Sequence, residues 1–185
     1  MKLPKILLFL FLFQIHDAHL DAYLDYKSPF HPTISENGMV VSQNLESSEI
    51  GTMILESGGN AVDAAVAVGF SLTTTLPRAG NIGGGGFMLV YIKETKELFS
   101  IDYRSRSSLN SNLNDLFGSK SPAQIQDDDY DLTKYDYKAS AVPGTVYGLL
   151  EAHERFGDLP LEKVLQPVID QARNGIIVSY DLHNA

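Results

Sequence analysis

The sequence predicts an α/β or α+β sandwich in which helices cover a sheet and a second layer is missing from this chain. A helix predicted at 61–72 carries Ala and Val on nearly every side, and a helix that is apolar all round is buried. The strand predicted at 87–92 is apolar on both faces, which is typical of a strand covered on both sides. These patterns place helices on one side of a sheet and require apolar cover on the other.

Length and composition exclude several classes of protein. With 185 residues, of which 44% are apolar, the chain is long enough for one globular domain with its own core. Its 23 acidic residues outnumber 14 basic ones and no Lys/Arg cluster is present, so nucleic acid is not an expected partner. The absence of cysteine excludes disulfides and thiolate zinc sites.

The N-terminus has the pattern of a secretory signal. Lys2 and Lys5 precede an apolar run at 6–13, and a polar stretch follows. The run is too short to cross a bilayer as a helix, so no stable membrane span is expected. We therefore predict a signal peptide at 1–18 and a periplasmic or secreted protein, with a buried N-terminal helix as the alternative.

Beyond residue 18 the chain divides into a polar, turn-rich lead-in segment at 19–37 and one domain at 38–185. Within the domain, residues 105–138 are dominated by Ser, Asn, Asp and Lys and are predicted to form a long surface loop that can include one short helical turn. The acidic run at 127–129 is expected to be solvated, with a loose calcium site as the alternative.

Apolar spacing predicts the first elements of the domain. Residues 38–42 are expected to form a short buried strand. A helix is predicted at 45–56, because Ile50, Met53 and Ile54 recur at helical spacing and define one face.

The buried helix at 61–72 has a clear start and a clear limit. Asn60 can cap it by accepting a hydrogen bond from the backbone near Asp63, whose charge also suits the first turn. Pro77 prevents the helix from continuing far. The three threonines at 73–75 are expected to enter a turn, since an N-terminal nucleophile there would need cleavage at the end of a core helix.

A hairpin and two more helices complete the predicted elements. A return strand at 98–103 follows the strand at 87–92 across a polar turn. Helices at 143–156 and 160–173 each begin at a proline and end before a glycine. Ser179 can cap another helix, and a sequence that stops just after a fresh cap is expected to be part of a longer one.

Four consecutive glycines at 83–86 connect the buried helix to the hairpin. A phosphate-binding loop needs a strand before it and a helix after it, and here that order is reversed. We therefore interpret the run as a crowded backbone crossing that side chains would block, able to shape the wall of a pocket.

Arg104, at the end of the return strand, is the candidate substrate-binding residue. Arginine suits a bidentate contact with a carboxylate, and a salt bridge at the rim is the alternative. Arg106 would point to the same side if the strand continued, and is the second candidate.

His153 has no second histidine at the spacing of a zinc helix and is expected on a solvated helix face. The sequence predicts no metal site, no cofactor site and no complete catalytic set.

Several separated motifs resemble the γ-glutamyltranspeptidase family, also called glutathione hydrolases. In order, these motifs occupy residues 38–42, 58–67, 82–91, 102–104, 142–146 and 160–175. The resemblance implies the fold of the N-terminal-nucleophile hydrolases, an αββα sandwich with two sheets between helical layers, which is incomplete in this chain. It extends over the first part of the family's large subunit only.

The resemblance also implies a role for one residue. The family's Asp-Phe-Arg-Glu motif matches Asp102-Tyr103-Arg104-Ser105, so Arg104 is expected to hold the α-carboxylate of the glutamyl group. Ser105 stands where the family has glutamate. Family members cut themselves into two subunits, and the N-terminal threonine of the small subunit attacks the γ-glutamyl amide. That nucleophile has no match within these 185 residues, so no catalytic residue is predicted in this chain.

These implications describe the N-terminal part of a γ-glutamyltransferase or glutathione hydrolase zymogen that works without a cofactor. Its expected substrates are γ-glutamyl compounds such as glutathione, and its expected partner is the small subunit of the same precursor. The glutamyl group passes to water or to an amino acid, and this chain alone is expected to be inactive. Two alternatives stay open: a side-chain acylase on the same fold, favoured by Ser105, and a non-catalytic remnant or binding module, favoured by the missing nucleophile.

Overall fold

The structure, a computed structural model, describes residues 33–126 and 136–184. Three sequence predictions fall outside the described residues. They are the signal peptide at 1–18, most of the lead-in segment, and the acidic run at 127–129.

Two compact units make up the chain, residues 1–37 and residues 38–185. In the second unit the described residues form six α-helices and one two-stranded sheet. In chain order these elements are α1 (Leu45–Glu56), α2 (Ala61–Thr75), β1 (Phe87–Ile92), β2 (Glu97–Asp102), α3 (Leu113–Phe117), α4 (Thr145–Phe156), α5 (Leu161–Asn174) and α6 (Tyr180–His183). Two short 3₁₀ turns, Pro122–Gln124 and Tyr137–Ala139, lie between α3 and α4.

The order of the four long helices and the hairpin agrees with the sequence prediction. The buried strand predicted at 38–42 is wrong: these residues join no sheet with the described part of the chain, and Val41 is 81% exposed. A strand needs a neighbour to pair its backbone N–H and C=O groups. No described segment takes that position beside residues 38–42.

Helix α2 lies at the centre of the second unit and packs against α1, α4 and α5. The predicted cap is confirmed, because the Asn60 side chain accepts from the Val62 N–H at 2.8 Å and from the Asp63 N–H at 3.0 Å. The Asp63 carboxylate accepts in turn from the Asn60 N–H at 3.0 Å, which completes a capping box. Ala61 and Ala65 are exposed, so the helix is buried on most sides but not all round.

The hydrophobic core fills the space between these four helices and the inner face of the hairpin. Its buried members are Ile50, Ile54, Val62, Ala64, Val66, Ala67, Val90, Ile101, Leu149, Ala152, Val164 and Val168. Met53, predicted on the buried face of α1, is instead 49% exposed. The inner face of α1 is completed by the small residues Ser47 and Gly51, which allow α2 to approach closely.

A chain of buried hydroxyls joins three of the helices. Ser47 Oγ lies 2.8 Å from Ser71 Oγ and 2.9 Å from Thr75 Oγ1. Ser71 Oγ donates to Gln171 Oε1 at 2.7 Å, so the polar groups satisfy one another inside the core. The turn predicted at 73–75 is therefore wrong. These residues form the last turn of α2, where the Thr75 hydroxyl contacts Ser47 on the neighbouring helix α1.

Strands β1 and β2 form an antiparallel hairpin in which Phe87 lies opposite Asp102 and Ile92 lies opposite Glu97. The inner face packs against the helices, where Val90 and Ile101 are each 7% exposed. The outer face is open within the described part of the chain. Its apolar side chains are Phe87, Leu89, Tyr91 and Leu98, which are 61–72% exposed. The sequence predicted that both faces of the strand at 87–92 are covered. Within the described residues, only the inner face is covered.

The polar segment after the hairpin returns to its own beginning. Arg106 and Val142 form an antiparallel bridge, with N···O distances of 3.1 Å and 2.7 Å. Between them lie α3 and the two 3₁₀ turns, whose described neighbours are mostly exposed. The bridge brings the start of α4 beside the end of the hairpin.

Candidate functional site

The hairpin continues for one residue pair beyond β2 and then ends at Arg104. The Tyr103 N–H donates to the Gly86 carbonyl at 3.1 Å, and the Gly86 N–H donates to the Tyr103 carbonyl at 3.4 Å. Tyr103 is half-buried against the core, whereas Asp102 and Arg104 on either side of it are exposed. Strand alternation thus puts Arg104 on the same side as the open face of the sheet.

The glycine run allows this corner to close tightly. The Gly84 carbonyl accepts from the N–H groups of Gly144 at 2.8 Å and Thr145 at 3.1 Å, which ties the run to the start of α4. A Cβ atom on Gly85 would overlap the Tyr103 carbonyl and the backbone that follows it. The predicted crowded crossing is therefore confirmed, and the run packs against backbone as the sequence interpretation required.

Tyr103 lies in a slot between two glycines. A Cβ on Gly86 would lie 2.8 Å from Cε2 of the Tyr103 ring, and a Cβ on Gly148 would overlap Cγ of the same ring. Burial raises the pKa of the Tyr103 phenol, so the side chain stays neutral under ordinary conditions. The slot holds Tyr103 in place and therefore fixes the backbone from which Arg104 projects.

The two candidate arginines have different surroundings. The Arg106 guanidinium lies 3.9 Å from Asp102 Oδ2 in an exposed ion pair. Within the described residues, the Arg104 guanidinium makes no hydrogen bond or ion pair. The rim salt bridge considered for Arg104 is thus made by Arg106, and the planar donor fork of Arg104 has no protein acceptor there.

His153 occupies a different environment from the solvated helix face predicted for it, so that prediction is wrong. Its side chain is 14% exposed, with Nε2 2.9 Å from the Leu159 carbonyl oxygen and 3.6 Å from Asp63 Oδ1. The chain after α4 folds back over the ring. His153 therefore connects the end of α4 to the start of α2, and none of its contacts is with Arg104.

Arg104 is exposed at the end of the hairpin. A groove of about 810 Å³ lies beside the hairpin, and a second of about 680 Å³ lies between α1 and α5. Arg104 lines neither of these two grooves. In the described ranges, no group of three or more His, Asp or Glu side chains could hold a metal ion. None of the described helices is both long and apolar enough to cross a bilayer.

Sequence reasoning assigned no role to three residues that shape this corner: Asp102, Gly144 and Gly148. The two glycines are four positions apart at the start of a helix, which puts them on one face. The aspartate stands two residues before Arg104, at the spacing of an Asx turn. A pair of glycines four positions apart and an aspartate two positions before another residue are both common in proteins. Their roles here are recognised only from the structure, in which Tyr103 packs against the glycines and Asp102 accepts a hydrogen bond from the Arg104 N–H.

A family comparison extends these observations beyond a single chain. The family model described as gamma-glutamyltranspeptidase matches residues 47–185. This chain belongs to the γ-glutamyltranspeptidase family. The matched range contains the glycine run, the hairpin, the Arg104 corner and all six helices except the first two residues of α1.

Individual members of the family agree in sequence and in structure. The chain is 43% identical over 150 residues to the glutathione hydrolase proenzyme of Escherichia coli K12, covering 81% of this chain and 25% of that protein. It superimposes on the crystal structure of Helicobacter pylori gamma-glutamyltranspeptidase with a TM-score of 0.72 and 34% identity. That match covers 83% of this chain and 42% of the other, so this chain contains only part of the family fold. The predicted N-terminal-nucleophile hydrolase sandwich, incomplete in this chain, is confirmed.

The relatives of this chain also include an acylase. Acylase ACY 1 proenzyme from Pseudomonas sp. strain V22 is 34% identical over 165 residues, covering 86% of this chain and 29% of that protein. This identity is lower than that to the Escherichia coli glutathione hydrolase. Both relatives are named as proenzymes.

Proposed function

We propose that this chain is the N-terminal part of a γ-glutamyltransferase or glutathione hydrolase precursor, and that Arg104 binds the α-carboxylate of the γ-glutamyl substrate. The observation that supports this most directly is the exposed Arg104 guanidinium, which has no acceptor among the described residues. It projects from a backbone held by the Tyr103 slot. A guanidinium that projects from a well-held backbone on the open side of a sheet suits recognition of a small carboxylate.

The proposed reaction divides the work between this chain and the rest of the precursor. Arg104 holds the substrate through charged hydrogen bonds, each contributing about 1.5–3 kcal/mol. The N-terminal threonine of the small subunit, released by self-cleavage, supplies the attacking hydroxyl, and its own α-amine accepts the proton. The threonine oxygen forms an ester with the γ-carbonyl carbon while the amide C–N bond breaks and the amine leaves with a proton. The ester bond then breaks as the glutamyl group passes to water or to an amino acid, and the threonine hydroxyl is restored.

The proposal includes a location and a partner. The charged and apolar N-terminal sequence supports export by a signal peptide at 1–18, and hence a periplasmic or secreted enzyme. The small subunit of the same precursor is the proposed partner, and γ-glutamyl compounds such as glutathione are the proposed substrates. Neither the attacking threonine nor a cofactor is assigned to residues of this chain.

The test is Arg104→Ala in the full-length precursor. Loss of the carboxylate contact is expected to raise KM for a γ-glutamyl amide by about tenfold to a hundredfold, the equivalent of one charged hydrogen bond. Self-cleavage into subunits should continue, since Arg104 is exposed and is not one of the core residues. Arg106→Ala is the matched control, because it removes another exposed arginine of the same corner and should change KM far less. Equal effects of the two substitutions would contradict the assignment of Arg104.

A side-chain acylase is the second candidate function, supported by the acylase relative and by Ser105. A glutaryl amide has the same terminal carboxylate as a γ-glutamyl amide and lacks only the α-amino group. Arg104 could therefore hold either substrate, and substitution of Arg104 does not separate the two functions. A direct comparison of kcat/KM for γ-glutamyl and glutaryl amides does. We expect a preference for the γ-glutamyl amide, and a preference for the glutaryl amide would favour the acylase.

A further inference from the structure

We propose that Asp102 is a positioning residue that orients Arg104 for substrate binding. The proposal rests on the function proposed above and deepens it. Asp102 is the last residue of β2, and its side chain is 57% exposed on the open side of the hairpin. Its carboxylate has two oxygens, and each one is engaged by a different neighbour of the substrate-binding corner.

The first oxygen holds the Arg104 backbone. Asp102 Oδ1 accepts a hydrogen bond from the Arg104 N–H at 3.0 Å, which closes an Asx turn over residues 102–104. On one side, the Tyr103 backbone pairs with Gly86, and on the other side the Arg106 backbone pairs with Val142. Arg104 lies in the gap between these two pairings. Within the described residues, its N–H is therefore held by a side chain and not by a backbone ladder.

The second oxygen faces the other arginine. Asp102 Oδ2 lies 3.9 Å from the Arg106 guanidinium, and both side chains are more than half exposed. An exposed pair of this kind contributes little to stability. Its consequence is geometric: Asp102 turns its charge toward Arg106, while the Arg104 guanidinium makes no ion pair with a described residue.

These contacts predict how a loss of Asp102 would appear in kinetics. Without the turn, the backbone at Arg104 samples more conformations, and the guanidinium occupies the binding orientation for a smaller fraction of the time. The carboxylate contact is made in the ground state as well as in the transition state. Its loss should therefore raise KM with little change in kcat.

The experiment compares three substitutions in the self-cleaved, full-length enzyme with a γ-glutamyl amide as substrate. Asp102→Ala removes the turn and the ion pair, and is expected to raise KM about fivefold at nearly constant kcat, as for one ordinary hydrogen bond. Asp102→Asn keeps an oxygen that accepts the Arg104 N–H, and should restore KM to within about twofold of the parent. Arg106→Gln removes only the ion pair and should also stay within about twofold.

The outcomes separate this inference from the function on which it rests. An unchanged KM in Asp102→Ala, or an Asp102→Asn variant as impaired as Asp102→Ala, would overturn the positioning role. Arg104→Ala is measured in parallel. If Arg104→Ala raises KM while Asp102→Ala does not, only the positioning role fails. If Arg104→Ala has no effect, the substrate-binding role of Arg104 fails as well. Complete self-cleavage of each variant shows that its fold is intact.

Discussion

At the scale of single residues, Tyr103 shows how the substrate-binding corner is built. Its ring lies against Gly86 and Gly148, positions where any Cβ atom would overlap or crowd it. The residue next to it, Arg104, has no such packing and depends on its backbone for orientation.

Gly148→Ala tests this slot. Alanine is normally more stable than glycine in a helix interior. At position 148, however, its methyl group would overlap the Tyr103 ring. We expect the free energy of unfolding to fall by about 1–3 kcal/mol, as for other overpacked sites, in urea denaturation. Tyr103→Ala removes the ring, so adding Gly148→Ala to that variant should cost much less. Additive effects in this double-mutant cycle would contradict direct packing of Tyr103 on Gly148.

At the scale of secondary-structure elements, the start of α2 is the point where distant parts of the chain meet. The fully buried Asp63 carboxylate accepts from the Asn60 N–H within its own cap. It also accepts from the N–H groups of Asp158 and Leu159 at 3.1–3.2 Å, 95 and 96 positions away. One acidic side chain therefore caps a helix and holds the connection between α4 and α5 against it.

Asp63→Asn should weaken this junction. The amide retains one accepting oxygen, but its NH₂ group would face a backbone N–H that now lacks an acceptor. The expected loss of unfolding free energy is about 2 kcal/mol or more, measured by chemical denaturation. Asp158→Asn is the matched control, because that side chain is exposed and should leave stability within about 0.5 kcal/mol. A stability loss in the control as large as that in Asp63→Asn would show that the junction depends on net charge.

At the scale of the whole molecule, the sheet has one covered side and one side that the described residues leave open. The open side exposes Phe87, Leu89, Tyr91 and Leu98 together on one hairpin. Apolar patches of this kind are typical of surfaces that other protein covers. This chain matches only a quarter of the length of its Escherichia coli relative.

The 185-residue chain expressed alone is therefore expected to self-associate and to show no turnover of γ-glutamyl amides. Replacing Leu89 and Leu98 by lysine should shift it toward the monomer in size-exclusion chromatography, because both side chains project from the open face. Helix content, measured by circular dichroism, should be unchanged. Thr95→Lys adds charge in the exposed hairpin turn, away from that face, and should not dissolve the aggregates. A soluble, active 185-residue chain would contradict both the open sheet face and the need for a second subunit.

Local signals in the sequence determined the helices, their caps, the hairpin and the family. Asn60 with Asp63 is an example, because a cap involves residues within one turn and can be read from their spacing. The glycine run likewise indicated a crowded crossing before its partners were known. Motif order alone was enough to predict the γ-glutamyltranspeptidase family, and Arg104 was selected by its place in one motif.

Tertiary structure alone decided what each side chain meets. It separated Arg104 from Arg106, buried His153 beside Asp63, and placed Thr75 in a hydroxyl network. These outcomes depend on contacts between residues far apart in sequence, which no local spacing encodes. The failed strand at 38–42 has the same cause, since a strand exists only when a partner supplies its backbone hydrogen bonds.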